Sequence, residues 1–293
     1  MTRAFRYSAW AVVLFGAVAR AQQPAPPPPA VLQIFEETVK VGKLPAHEKL
    51  ETRWAKTLVD GKWPGSSLAM KTIAGAQQAW FVTPHESMAS IEKLSKDADK
   101  LTALTAQTDL LTAQDGELLT GVRSMFAVYR PELSYLPANS VPVPKLRYFD
   151  VEIFQTRPGH TAEFLESRRL AKAAHAKASM PDGLIYYEIM AGAPVGTFIR
   201  FRGVQSLADQ DRYDQAHTAK AYQDAVAPST KQINELTSAS VVNTQHLIFE
   251  LDPKMSVMPK EFTSQDPEFW TPKPKVATPT TSPDQQKPKA KNQ

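Results

Sequence analysis

Tyr148, Asp150 and Glu152 are the chemistry-bearing residues that regular spacing places together in this 293-residue chain. They fall within Leu146–Phe154, an alternating stretch rich in aromatic and β-branched residues that reads as a strand. Side chains two apart on a strand share a face. Phe149, Val151 and Ile153 therefore form one face, which we assign to the side under helices. The polar three are then expected to point into whatever the sheet encloses. By the same alternation Tyr186 and Glu188 join them from the next strand, with Arg200 and Arg202 from the one after. Glu37 occupies the place of Glu152 in the first half of the chain, so two glutamates are expected to face each other. Burial would raise at least one carboxyl pKa and make Glu152 or Glu37 a candidate general base for a small acidic substrate. Arginine–carboxylate pairs that satisfy a polar interior, with no ligand at all, describe the same residues.

Other chemistry is thinly supported. No His-Glu-x-x-His or similar spacing occurs among the six histidines, so no metal site is expected. His47 and His175 lie on apolar helix stripes and read as core. His85 begins a turn, and His246 starts the last strand. The chain has no cysteine, which removes thiolate-zinc, iron–sulfur and cysteine-nucleophile chemistry. No Gly-x-Ser-x-Gly elbow, Walker loop or dinucleotide fingerprint is present. Ser134 and Ser256 stand in the same Pro-x-Leu/Met-Ser-x-x-Pro setting, and that repetition points to a structural turn rather than a nucleophile.

The positioning elements follow from an internal duplication. Glu37, Glu48, Leu50, Glu51 and Arg53 recur as Glu152, Glu163, Leu165, Glu166 and Arg168, always 115 positions later. Ile73-Ala-Gly75-Ala returns as Met190-Ala-Gly192-Ala. The second copy reads as a strand over 146–154, a helix over Thr161–Ser179, strands over Leu184–Ala191 and Gly196–Arg202, helical segments from Ser206 past Pro228, and a closing strand over Gln245–Leu251. The first copy matches it. Its strand is Val31–Val39, its helix from Pro45 carries His47, Leu50, Trp54 and Leu58 on one face, and strands Ser67–Ile73 and Gln78–Thr83 follow. A long helical region from Ser87 and a strand over Met125–Tyr129 complete it. The order β-α-β-β-α-β is a ferredoxin-like unit. Each unit leaves one sheet face bare, and two copies can cover each other. The expected fold is α+β: tandem ferredoxin-like units forming an intramolecular α+β barrel.

With its element order, Pro158-Gly159 and Phe164 after the first strand, and His217 within Tyr213-Asp-Gln-Ala-His217, residues 31–258 resemble the dimeric α+β barrel superfamily. That superfamily includes antibiotic-biosynthesis-monooxygenase-like and NIPSNAP-like domains. The resemblance implies that His160 and His217 lie near a barrel mouth, and it adds His217 to the catalytic candidates. Tyr148, Asp150, Tyr186, Glu188, Arg200 and His160 are the candidate ligand-binding residues. No cofactor is predicted from the residues. Some relatives of this barrel bind haem through one histidine, so the resemblance leaves haem open without singling out a ligand.

Outside the repeats, Arg3 and Arg6 precede an apolar run over Ala9–Ala19, and small residues follow it. Residues 1–21 read as a signal peptide cleaved after about Ala21, and the protein is expected to be secreted or periplasmic. Residues 22–30 form a proline-rich linker, 31–140 and 141–259 the two repeats, and 260–293 a C-terminal extension. Phe262, Phe269 and Trp270 suggest that the start of this extension docks back on the body. From about 271 its composition reads as disordered. The basic balance resides in the ends, because 22–270 holds 26 basic against 29 acidic residues. A nucleic-acid partner is not expected on that distribution, nor is stable membrane insertion. Two functional expectations follow: an exported, non-enzymatic module binding a small apolar or amphipathic ligand or a protein, or a cofactor-independent monooxygenase-like enzyme using a barrel cavity.

Overall fold

The structure, a computed structural model, describes residues 27–271. The expected signal peptide, most of the linker and the tail beyond 271 lie outside the described residues. The first half runs β1 (Val31–Val39), α1 (Leu44–Asp60), β2 (Leu68–Ala74), β3 (Gln78–His85), α2 (Met88–Ala98), α3 (Thr102–Gly116) and β4 (Leu119–Tyr129). The second runs β5 (Tyr148–Thr156), α4 (Thr161–Lys177), β6 (Ile185–Ala191), β7 (Thr197–Val204), α5 (Ala208–Thr218), α6 (Lys220–Val226), α7 (Thr230–Ser240) and β8 (Val241–Leu251). Two one-turn helices follow, α8 (Lys260–Thr263) and α9 (Pro267–Trp270). Among the described residues no helix is long and apolar enough to cross a membrane.

Several ends differ from the sequence reading. β4 and β8 each begin earlier than expected, at Leu119 and Val241. Their leading segments, interrupted by Gly121 and Arg123 in one and by Asn243 and Thr244 in the other, pair along the full lengths of β1 and β5, and ladder hydrogen bonds set the strand there. The expected long helix after Ser206 breaks at Ala219, whose ψ of 145° is extended. Asp209 accepts from the backbone N–H groups of Gln205 and Ser206, the reaching-back half of a capping box.

The eight strands form one closed barrel in the order β1-β3-β2-β8-β5-β7-β6-β4. Within each half this is the ferredoxin-like order, and the halves join along two antiparallel seams, β2 to β8 and β4 to β6. Each seam has a register shift, between Thr72 and Ala74 and between Phe126 and Ala127. The repeated glycines sit beside them. Gly75 (φ 115°) would place a Cβ into Leu247, and Gly192 (φ 91°) would place one into the backbone of Ser124 and Met125. The repeated serines clamp across the same seams. Ser134 Oγ accepts from Tyr186 N–H at 2.8 Å, and Ser256 Oγ accepts from Ala69 N–H at 2.9 Å. Each serine also donates to a carbonyl of its own turn, Arg130 and Asp252 respectively. They are structural turns.

The inside of the barrel is apolar. Ile34, Met70, Trp80, Met125, Val151, Ile199 and Phe249 form one buried cluster contributed by strands all round the barrel. Trp80 and Phe249 meet with ring centroids 4.8 Å apart. Eight strands enclose just enough room for side chains to fill. One end is plugged by the C-terminal segment, as its aromatics suggested. Trp270 is buried in the barrel core and donates to Pro144 O at 2.7 Å, and Arg147 lies 3.9 Å over the Phe269 ring.

This packing reverses the expected facing. Phe149 and Val151 belong to the barrel core and Ile153 packs against it, whereas Phe154 and Tyr186 pack with Phe164 of α4 in a second cluster under the helices. Asp150, Glu152, Arg200 and Glu37 are correspondingly on the helix-covered outside of the barrel. Alternation separates the two faces but does not say which one closes inward. A dry interior of this width takes the set free of charge.

Gly192→Ala should therefore destabilise the protein by at least about 2 kcal/mol, from both the left-handed backbone and the overlap at the seam. Gly159→Ala shares the strained φ (84°) but has open space around it and should cost clearly less. Urea denaturation of both variants decides the matter; equal losses would mean that the seam contact contributes nothing.

Candidate functional site

Most of the predicted residues of the second repeat meet in a layer between β5–β7 and the helices. Asp150 is its hub. Its carboxylate receives Arg200 Nη2 at 3.1 Å, Arg202 Nη2 at 2.5 Å and His246 Nε2 at 2.7 Å. Arg200 also reaches Glu152 at 3.3 Å, and Arg202 reaches Asp182 at 3.5 Å and Gln210 of α5. Burial alone would raise the Asp150 pKa, but the two guanidiniums and His246 hold it below the ordinary carboxylate range. Arg202 is fully buried and lies 3.8 Å under the Tyr213 ring.

Beyond Tyr213 an aromatic wall continues. His217 sits between Tyr213 and Tyr222, with centroids at 4.0 and 4.4 Å, and His175 meets it edge-on at 5.2 Å. Each histidine shares its Nδ1 proton with a helix carbonyl one turn back, Tyr213 O at 3.0 Å and Ala171 O at 2.8 Å. On that assignment both Nε2 atoms carry lone pairs. Burial pushes His175 down to about 4 and lowers His217 as well, so both rings are neutral at pH 7. A neutral imidazole can accept a proton, but a substrate needs room beside it.

The other predicted residues lie apart. Glu188 pairs with Arg130 outside the β4–β6 seam. His160 occupies the N-cap position of α4 and contacts Glu163 at 3.1 Å, half-exposed. Tyr148 is half-buried at the start of β5. Glu37 is buried on the opposite half, hydrogen-bonded to His47 at 2.7 Å, with Glu51 and Asp115 beside it. The two glutamates do not face each other, because the barrel core lies between their outward faces. Sequence reading missed Tyr213, Tyr222, Glu51 and Asp115 as site residues and treated His47 only as core. The available signal was the spacing of His47 and Glu51, which puts both on one side of α1.

Two cavities bear on function. One, of about 280 Å³, opens at the barrel end opposite Trp270 and is lined by Met125, Ile153 and Ile199 below Gln155, Asn243 and Gln245. The other, of about 400 Å³, is a charged groove outside α1 that includes Glu48, Lys71 and Asp252. Neither reaches His217, His175 or Glu152. A bound haem would need an open slot against a histidine Nε2. That of His175 is enclosed without a partner, and His217 is wedged between two tyrosines. The residues present do not fit the group.

No protein-family model and no curated protein matches the chain. Solved structures do. An anthrone oxidase-like protein aligns at 14% identity over 76% of this chain and 91% of its own, with a TM-score of 0.51. A candidate monooxygenase from Lactobacillus acidophilus aligns at 8% identity, 75% and 93% coverage, and 0.44. A variant chlorite dismutase from Candidatus Nitrospira defluvii, in complex with cyanide, aligns at 12% identity, 81% and 95% coverage, and 0.44. These likenesses bear on the fold alone. It is the duplicated ferredoxin-like α+β barrel.

The neutral state of His175 has a pH signature. A histidine held down in the folded chain leaves the unfolded chain to take up protons first. Its contribution is therefore intact above pH 6.5 and drains as pH falls to about 4. Wild type should lose about 2 kcal/mol more than His175→Phe between pH 7 and pH 5 in urea titrations. Identical pH slopes would remove His175 as the source.

Proposed function

We propose that this protein is an exported, non-enzymatic binding module that takes a small amphipathic ligand at the open mouth of its barrel. The observation that carries this reading is the 280 Å³ cavity. Its floor is apolar barrel core and its rim is neutral amides, the combination that small-ligand pockets use. Arg123 stands at the same rim with its charge already committed to Glu36 at 2.6 Å. Export rests on the charged, apolar, small-residue order of residues 1–21. The ion pairs around Asp150 support the same reading, because Arg200 and Arg202 are directed at Asp150, Glu152 and Asp182 and line neither cavity.

A monooxygenase-like enzyme is the second reading. It is favoured by the neutral His217 lone pair between two tyrosines. The test for it is His217→Ala on any turnover detected with the purified protein, where an unchanged rate removes the residue.

Binding is checked with decanoate as a probe in titration calorimetry. Wild type is expected to bind it with one site per chain, and Ile199→Trp, which fills the cavity floor, should weaken binding at least tenfold while the circular dichroism spectrum is kept. Equal affinity in Ile199→Trp, or no binding by wild type, defeats the mouth as the site. Haemin added to the purified protein is expected to give no sharp Soret band. A stoichiometric band lost in His217→Ala would show that the helix layer opens.

A further inference from the structure

The two halves share a backbone plan but differ in how they neutralise buried carboxylates. On β5, Asp150 and Glu152 stand opposite Arg202 and Arg200 of β7. At the corresponding register of the first half, Phe35 and Glu37 stand opposite Phe81 and Ala79 of β3. No arginine comes from the neighbouring strand. Arg168 of α4 turns inward to Thr237 at 2.6 Å, but its repeat partner Arg53 meets Gln114 at the surface. In place of arginines the first half collects more acid. Glu51 of α1 and Asp115 at the end of α3 lie beside Glu37, and each of the three is at most 5% exposed.

Those carboxylates converge on His47, which is completely buried. One donor atom from each of Glu37, His47, Glu51 and Asp115 lies within 4.8 Å of all the others. The cluster does not satisfy itself. Glu51 Oε1 and Asp115 Oδ1 are enclosed and have no hydrogen-bond partner. Buried polar atoms are seldom left so, and two orphaned carboxylate oxygens beside one imidazole mark a group that expects a ligand. His47 approaches Asp115 only at 3.8 Å, too long for a hydrogen bond and well suited to two donors flanking one ion.

We propose that Glu37, His47, Glu51 and Asp115 bind one divalent first-row transition ion between β1, α1 and α3. The ion does for this half what Arg200 and Arg202 do for the other. One imidazole nitrogen with three carboxylates selects Zn²⁺ or its neighbours Mn²⁺ and Fe²⁺ over Mg²⁺ and Ca²⁺, which prefer oxygen alone. Enclosure by two helices and a strand makes it a structural site, since it borders neither cavity. The inference is independent of the ligand proposed for the barrel mouth.

The test uses the full mature chain stripped with a chelator, then Zn²⁺, Mn²⁺ or Mg²⁺ added alone. Elemental analysis after gel filtration should find one Zn²⁺ or Mn²⁺ per chain and no retained Mg²⁺. Thermal melting should rise with the concentration of the retained ion. Glu51→Gln and Asp115→Asn keep side-chain shape and should each weaken binding at least tenfold. Glu51→Gln also removes a buried acid, so without ion it should melt at or above wild type, and with ion below it. Stripped wild type that takes up no ion overturns the site. So does an ion that both variants retain at full affinity, or one lost only in His217→Ala.

Discussion

Closure of the barrel is the constraint on which everything else in this molecule depends. Two four-stranded sheets, each apolar on one face, could have stacked loosely. Instead their edges pair directly, β2 with β8 and β4 with β6, so that no strand edge is left open. Edge pairing requires the two backbones to approach closely at both seams. That is why a glycine with positive φ recurs in each copy and why a serine from each copy hydrogen-bonds to the other. The repeated glycines and serines are thus the fastenings of the barrel.

Closure also sorts the charges. With a dry, filled interior, every ionisable residue of the strands must lie at a mouth or beneath the helices. Beneath the helices water is scarce, and carboxylates need compensation. The second half supplies it from its own side chains, with Arg200 and Arg202 opposite their acids. The first half has Ala79 and Phe81 at those positions, and its acids gather around His47 with burial and mutual repulsion pushing Glu51 up to about 9 and Asp115 up to about 7. A chain that duplicates and then diverges can change the source of positive charge without disturbing the strand order, because the backbone ladder is indifferent to which cation sits outside it.

Much of this fold was legible before any coordinates. β1 was read to the residue, the β-α-β-β-α-β order held in both halves, and Ser134 and Ser256 behaved as paired turns. The early starts of β4 and β8 were hidden, since Thr120, Gly121 and Arg123 in one and Asn243 and Thr244 in the other interrupt the apolar pattern, and these segments acquire strand geometry only from partners far along the chain. The site was less legible. Asp150, Glu152 and Arg200, which alternation groups on one face, do meet, but beneath the helices and not inside the barrel, and Tyr186 packs in the same layer. Tyr213 and Tyr222 come from helices that could not be docked on paper. Glu51 and Asp115 are separated by 64 positions and belong together only after α1 and α3 pack side by side.

Local chemistry by itself determined which side chains share a face, where strands and helices begin to form, and that the polypeptide contains one design twice. Only the tertiary structure decided which face turned inward. That choice follows from the width of an eight-stranded barrel, which admits packed hydrocarbon and excludes water. A property of the closed whole therefore set the surroundings of every charged residue, and no window of neighbouring residues contains it.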